Sequence, residues 1–284
     1  FFMTLPTVTN KISIKYLNIK ILKKLFQFGF PLLFAAIFSM IIELSDRYII
    51  KYLLDIEMVG IYNAGYKLGM MMLLVVMGFN MAWQPFFLKK NKNEKEYIAK
   101  VSTVVLSILG FLWVLLILWS EDLVKIHFGK FTFFGEYYWE STQIVPLIAL
   151  AYIFHAMYLL QLPGVYFLEK SIWIAGFRGI GAVANIVLNF LLIPQFGIMG
   201  AAGATCLSFL IMTILIYIIN IKIFPINFEW KKIAIIIFVG GLIWILNNYT
   251  QSSHPFIIKI ILSIFYPLAL ASMRIINMKN IFHI

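Results

Sequence analysis

The sequence predicts an all-α integral membrane protein with about eight transmembrane helices, and three observations carry that prediction. The 284 residues are 62% hydrophobic and 12% charged, where a soluble domain carries about 25% charged residues; too little charge is left to cover a soluble surface. The apolar residues come in continuous runs near or above the roughly 20 residues that cross about 30 Å of hydrocarbon. The strands of a membrane β-barrel would alternate apolar with polar, so that class is excluded. Finally, the lysines and arginines gather in the gaps between the runs and sort by loop parity.

The spans fall at about 28–50, 60–88, 98–119, 142–168, 171–193, 197–220, 232–248 and 256–275, the seventh being the shortest. The chain opens FFM with no signal-peptide pattern, which reads as a fragment of something longer. Thr9 to Gln27 is basic, with Lys11, Lys15, Lys20, Lys23 and Lys24, and Ile14, Leu17, Ile21, Leu22 and Leu25 recur at helical spacing. That pattern suits either an amphipathic helix lying on anionic lipid or a plain cytoplasmic linker. Pro31 is expected near the first turn of the first span, where its missing N–H is tolerated.

Orientation follows from the connections. On the side of the N-terminal segment lie sixteen lysines and arginines: Lys11 to Lys24, Lys89 to Lys100, Lys170, Lys222, Lys231, Lys232, Arg274 and Lys279. The opposite side holds four, Lys51, Lys125, Lys130 and Lys259, while Arg47, Lys67 and Arg178 fall within spans. The excess of positive charge places both termini in the cytoplasm. The long outer connection, about 120–140, is rich in Phe, Tyr and Trp, as an interfacial aromatic belt is. Pro85, Pro163-Gly164, Gly176, Gly179 and Gly181 interrupt spans. Such breaks serve either moving half-helices, as in transporters, or close helix packing.

Ionisable groups in hydrocarbon cost roughly 2.5–3.5 kcal/mol each on insertion scales, so they point to a polar cavity or pathway. Glu43, Asp46 and Arg47 share one face of the first span at spacings of three and four. Counting back from Lys51, Glu43 lies about 12 Å inside the outer boundary, and Lys67 enters the next helix at a similar depth. Two readings stay open for this group. It lines a cavity, or it forms a local Glu43–Arg47 ion pair with Lys67 snorkelling to the interface. Arg178 lies roughly 12 Å past Lys170 among Gly176, Gly179 and Gly181; it is either a structural partner for Glu43 or a phosphate ligand. Asn185 and Asn189 extend its polar stripe. The candidate substrate-binding set is therefore Glu43, Asp46, Arg47, Lys67, Arg178, Asn185 and Asn189.

Other chemistry is not supported. The net charge of +11 lies between apolar runs rather than in a basic stripe on a soluble fold, which excludes a nucleic-acid partner. The single cysteine, Cys206, reads as a small core residue and leaves no internal disulfide. His155 is mid-span and reads as a packed histidine before a proton relay. GFRGIG has no strand before it and is not a dinucleotide fingerprint. No nucleophile–base pair and no metal-ligand spacing is present, so no enzyme, metal or cofactor is expected; a coupling ion, H+ or Na+, is left open.

SDRYIIKYLLDIEMVGIYNAGYKLG followed by GFNMAWQPFF, together with NIVLNFLLIPQFGIMGAAGATCLSF, resembles the C-terminal half of the polysaccharide and O-antigen flippases. These are lipid-linked oligosaccharide translocases of the multidrug/oligosaccharidyl-lipid/polysaccharide (MATE-like) superfamily. The resemblance covers about 28–217, and VGIYNAGY and FGIMGAAGAT echo each other inside it. It implies one six-helix bundle over 28–220, two further helices over 221–284, and a linker over 1–27. A first bundle of the same protein is absent, which fits a truncated or split reading frame. The resemblance further implies a cationic cavity that opens alternately to either side and passes an undecaprenyl-pyrophosphate-linked sugar. Asp46 and Arg47 match the family's acid–arginine pair, and Lys67 lies in the matching helix. Membrane lipid and polysaccharide polymerase or assembly proteins are the implied partners, in the bacterial cytoplasmic membrane. A MATE-type drug/cation antiporter is the alternative. A membrane polysaccharide polymerase or transferase is less favoured, because such enzymes need a large outer loop or a charged catalytic cluster, and the long outer loop here is aromatic and short of candidate groups.

Overall fold

The computed structural model describes residues 18–89, 95–128, 131–132, 134–249, 255–273 and 275. Lys11, Lys15, Lys90, Lys92, Lys130, Arg274 and Lys279, used above for orientation, lie outside them, as do residues 9–17 of the expected interfacial helix.

Helix α1 (Ile19–Leu53) starts where the Asn18 side chain accepts from the Lys20 backbone N–H at 3.0 Å, an N-cap. Residues 19–27 are therefore helical and continuous with the rest of α1. Pro31 consequently sits inside the helix rather than near its first turn, a correction to the expected boundary. Helix propensity does not stop where lysines replace isoleucines, so α1 runs on past the apolar stretch. Asp55 ends the short turn that follows by capping the Met58 N–H at 2.7 Å, and α2 (Ile56–Gly69) begins. It is followed across Met70 by α3 (Met71–Lys89), which is by itself long and apolar enough to cross a membrane.

Helix α4 (Lys95–Val124) leads to a two-residue hairpin, β1 (His127–Phe128) with β2 (Phe131–Thr132), and a 3-10 helix (Glu136–Ile144). Helix α5 (Val145–Gln161) continues into the short α6 (Pro163–Phe167), which Pro163 opens. Helix α7 (Ser171–Ile223) is two helices folded at Gly197, where φ is +57° and ψ −137°. Only glycine adopts that conformation without a Cβ clash. The halves run back along each other: Asn185 and Thr205, twenty residues apart, are hydrogen-bonded. Helices α8 (Trp230–Tyr249) and α9 (Pro255–Ser272) complete the described chain.

Among the described residues six helical stretches are long and apolar enough to cross a membrane. With α7 folded into two and the shorter α9 added, this accounts for the eight spans expected. The chain is an all-α, multi-pass membrane protein.

The bundle is centred on α1 and α5 packed against α7. Gly181 lets α1 and the second half of α7 close in, since a Cβ there would lie 2.6 Å from Met212 Sδ and 3.3 Å from Ile42 Cδ1. Helices α8 and α9 seat on α4 instead. At one end Lys259 pairs with Asp122 at 2.5 Å and Trp119 Nε1 donates to Ser263 Oγ at 3.1 Å. At the other, Glu229 accepts from Thr103 at 2.7 Å and pairs with Lys232 at 2.5 Å.

Candidate functional site

Asp46 and Arg47 are neighbours in sequence, so on a helix they point about 100° apart. One faces the interior, and the other faces a half-buried seam. The Asp46 carboxylate is fully buried and accepts from Tyr62 at 2.5 Å, Thr205 at 2.8 Å and Asn189 at 3.0 Å. Asn185 closes the cluster, accepting from Ser45 at 2.6 Å and Asn189 at 3.0 Å. This polar knot ties α1, α2 and both halves of α7 together. Water cannot satisfy a buried carboxylate in a membrane, so three donors stand in for it.

Two buried acceptor positions belong to this knot: Asp46 with its two oxygens, and Asn189 Oδ1, which has no partner among the described residues. With Ser45, Thr205 and Asn185 the donor set is all oxygen around one formal negative charge. Among the described residues no cluster of three or more His, Cys, Asp or Glu is placed to hold a metal.

Arg47, half-buried, is held from four sides. Its Nε donates to Asn63 Oδ1 at 2.7 Å and its Nη1 to the Glu43 backbone carbonyl. Its guanidinium lies 4.4 Å over the Tyr66 ring and 5.9 Å from that of Tyr62. The Tyr66 hydroxyl is fixed in turn by Tyr152 at 3.0 Å. The Glu43–Arg47 pair read from the spacing is thus a side-chain-to-backbone contact. Among the described residues the Glu43 carboxylate forms no ion pair within 4 Å. It lies half-buried, within the electrostatic reach of both Arg47 and Arg178.

Arg178 sits on the first half of α7, facing α1 and α5. Its Nη1 donates to the Ala35 carbonyl at 3.4 Å and its guanidinium lies 5.9 Å from the Tyr158 ring. Of its flanking glycines, a Cβ added to Gly179 would lie 3.1 Å from the Phe38 ring, whereas one added to Gly176 would meet nothing within 4 Å. Gly176 opens instead on an apolar groove of 790 Å³ between α1 and α7, lined by Phe30, Phe34, Phe38 and Val183 among others. His155 stacks on Phe209, with ring centroids 4.8 Å apart and planes 1° apart, the packed reading of that residue.

The structure therefore gathers Asp46, Asn185 and Asn189 in one buried knot, sets Arg47, Glu43 and Arg178 in the seam beside it, and leaves Lys67 exposed at the end of α2. The residues that sequence reasoning missed are Tyr62, Asn63, Tyr66, Tyr152, Ser45 and Thr205. The spacing of Tyr62 and Tyr66, four apart with Asn63 between them, was the available signal.

Comparison with known proteins follows the same line. Residues 9–91 match the family model described as polysaccharide biosynthesis protein. A Shigella flexneri protein named for O-antigen transport is 26% identical over 195 residues, covering 68% of this chain and 45% of that protein. The solved structure of the lipid II flippase MurJ in an inward closed conformation superposes with a TM-score of 0.66 at 18% identity, over 91% of this chain and 56% of that one. The chain thus spans about half the length of the relatives it matches. The resemblance drawn from the sequence, to lipid-linked flippases of the multidrug/oligosaccharidyl-lipid/polysaccharide superfamily, is borne out in sequence and in fold.

Proposed function

We propose that this chain supplies the cation-bearing half of a flippase that moves a polyprenyl-pyrophosphate-linked oligosaccharide, such as an O-antigen, capsule or exopolysaccharide repeat unit, across the bacterial cytoplasmic membrane. The observation that carries the reading is Arg47: a half-buried guanidinium in a membrane bundle, held by Asn63, the Glu43 backbone and two tyrosine rings. Such a group is costly in hydrocarbon unless it serves an anion, and the planar fork of arginine matches phosphate oxygens in pairs. Arg178 supplies a second such fork across the α1–α7 seam, and Glu43 is the acid that both sense. The O-antigen transport named for the Shigella flexneri relative and the lipid II flippase fold support the same substrate class.

In this reading residues 28–220 are one rocking lobe and 221–284 a flanking helix pair, with both termini cytoplasmic. Arg47, Arg178, Glu43 and Lys67 face the head group. Asp46, Asn185 and Asn189 lie behind them, where the knot takes the proton or cation that drives the rocking. No covalent step occurs, because translocation exchanges one opening for the other.

Replacing Arg47 or Arg178 with Ala in the full protein is the test. Each variant is expected to insert normally and to abolish display of the surface glycan. Wild-type display by both variants would sink the head-group assignment.

A further inference from the structure

We infer that Asn63 and Tyr66 are positioning residues for Arg47, and that Tyr62 links its posture to the buried Asp46 carboxylate. The inference rests on the head-group role proposed for Arg47 and adds to it the means by which that side chain is aimed and controlled.

An arginine offers five N–H donors in a fixed planar fork. Asn63 takes the Nε donor at 2.7 Å and the Glu43 carbonyl takes one on Nη1. With Nε taken, the side edge, Nε with Nη2, can no longer grip two oxygens, while Nη1 keeps its second N–H and among the described residues Nη2 takes no hydrogen bond. The end edge, Nη1 with Nη2, is the one left to grip two phosphate oxygens. Tyr66 holds the plane: its ring lies 4.4 Å beneath the guanidinium and is itself 2% exposed. A cation over a desolvated ring is drawn to its face, which offsets rotamer entropy that a free arginine keeps.

Tyr62 touches both halves of the site. Its hydroxyl donates to Asp46 at 2.5 Å, while its ring stands 5.9 Å from the Arg47 guanidinium and 5.6 Å from the Tyr66 ring. Asp46 also holds Thr205 and Asn189. Any change that takes the carboxylate away from Tyr62, whether a proton or a cation at Asp46, frees the tyrosine that walls in Arg47. The buried acid and the seam cation are then coupled through one side chain, and such coupling is reciprocal.

The experiment follows the rate at which phenylglyoxal modifies Arg47 in the purified full protein, read by mass spectrometry, with inorganic pyrophosphate as the protecting probe. Asn63→Ala and Tyr66→Leu are expected to speed modification about fivefold or more. Tyr66→Phe, which keeps the ring and loses only the bond to Tyr152, should stay within about twofold of wild type. A merely structural role for Tyr66 would move Phe and Leu variants together, and that result overturns the assignment. Asp46→Asn should speed modification when Tyr62 is present and add nothing in a Tyr62→Phe background. An equal effect in both backgrounds means plain through-space electrostatics and overturns the link. Pyrophosphate should slow modification of the wild type. Absence of protection, with the variant pattern intact, overturns the head-group reading and leaves the cage standing alone.

Discussion

Thr205→Val isolates the cost of removing one hydroxyl from the Asp46 knot. Valine keeps the shape of threonine, so little packing changes. What goes is the donor at 2.8 Å from Asp46 Oδ2 and the acceptor that Asn185 reaches at 3.4 Å. Hydrogen bonds between membrane helices average about 0.6 kcal/mol in double-mutant cycles, with a maximum near 1.7, and bonds to a charged group are worth about 1.5–3. The carboxylate keeps Tyr62 and Asn189, so a loss of about 2 kcal/mol is expected. Ser208→Ala is the control. Its hydroxyl is also fully buried on α7, but among the described residues it bonds only the Ala204 carbonyl of its own helix at 2.6 Å, and its loss should cost less than about 0.5 kcal/mol. Unfolding free energies in mixed micelles, from titration with a denaturing detergent, give both numbers. Equal costs for the two variants would refute the claim that the knot is what holds the two halves of α7 to α1.

Two glycines of α7 should respond with opposite signs. Gly197→Ala places a Cβ at φ +57° and should cost about 1–2 kcal/mol, while Gly176→Ala, with nothing within 4 Å, should add up to about 1 kcal/mol of helix stability; the same micelle titration reads both. The Glu229 carboxylate lies below its ordinary value of 4.5, because hydrogen bonds from Lys232 and Thr103 outweigh the burial that pushes it up. A group depressed in the folded state stabilises that state above its unfolded value and ceases to as pH falls through the folded one. Wild type should therefore lose more stability than Glu229→Gln on going from about pH 6 to about pH 3, with thermal unfolding in detergent as the readout. Arg47→Lys keeps the charge but loses the fork and the flat face over Tyr66, and should lower glycan display about tenfold where a point charge alone would have sufficed to hold it.

How much of this could be read beforehand differs from element to element. The eight spans were legible because a bilayer imposes a minimum length on every apolar run, and α4 or α8 had no other way to be written. The start of α1 was not, since charge marks where hydrocarbon ends and helix need not end there: Lys20, Lys23 and Lys24 lie on the same helix as Pro31. The charged residues of the site were visible as costs. Their separation into a sealed acid and a seam cation was hidden, because Asp46 and Arg47 differ only by the rotation of one residue about α1, and the rotation is set by packing against α7. Tyr62, Tyr66 and Thr205 escaped for a different reason. They carry no charge at neutral pH, so nothing in composition distinguishes them from the other tyrosines and threonines that fill a membrane core. Gly197 was read as the first residue of the sixth span, and only its backbone angles single it out as the fold point.

The most direct test of the central claim is transbilayer movement in proteoliposomes containing the full protein. A polyprenyl-pyrophosphate oligosaccharide and a lipophilic drug cation would be offered in parallel, with the wild type set against Arg47→Ala. The account predicts that the wild type moves the anionic lipid and not the cation, and that the variant moves neither. Transport of the cation by the wild type, or undiminished transport of the anionic lipid by the variant, would contradict it.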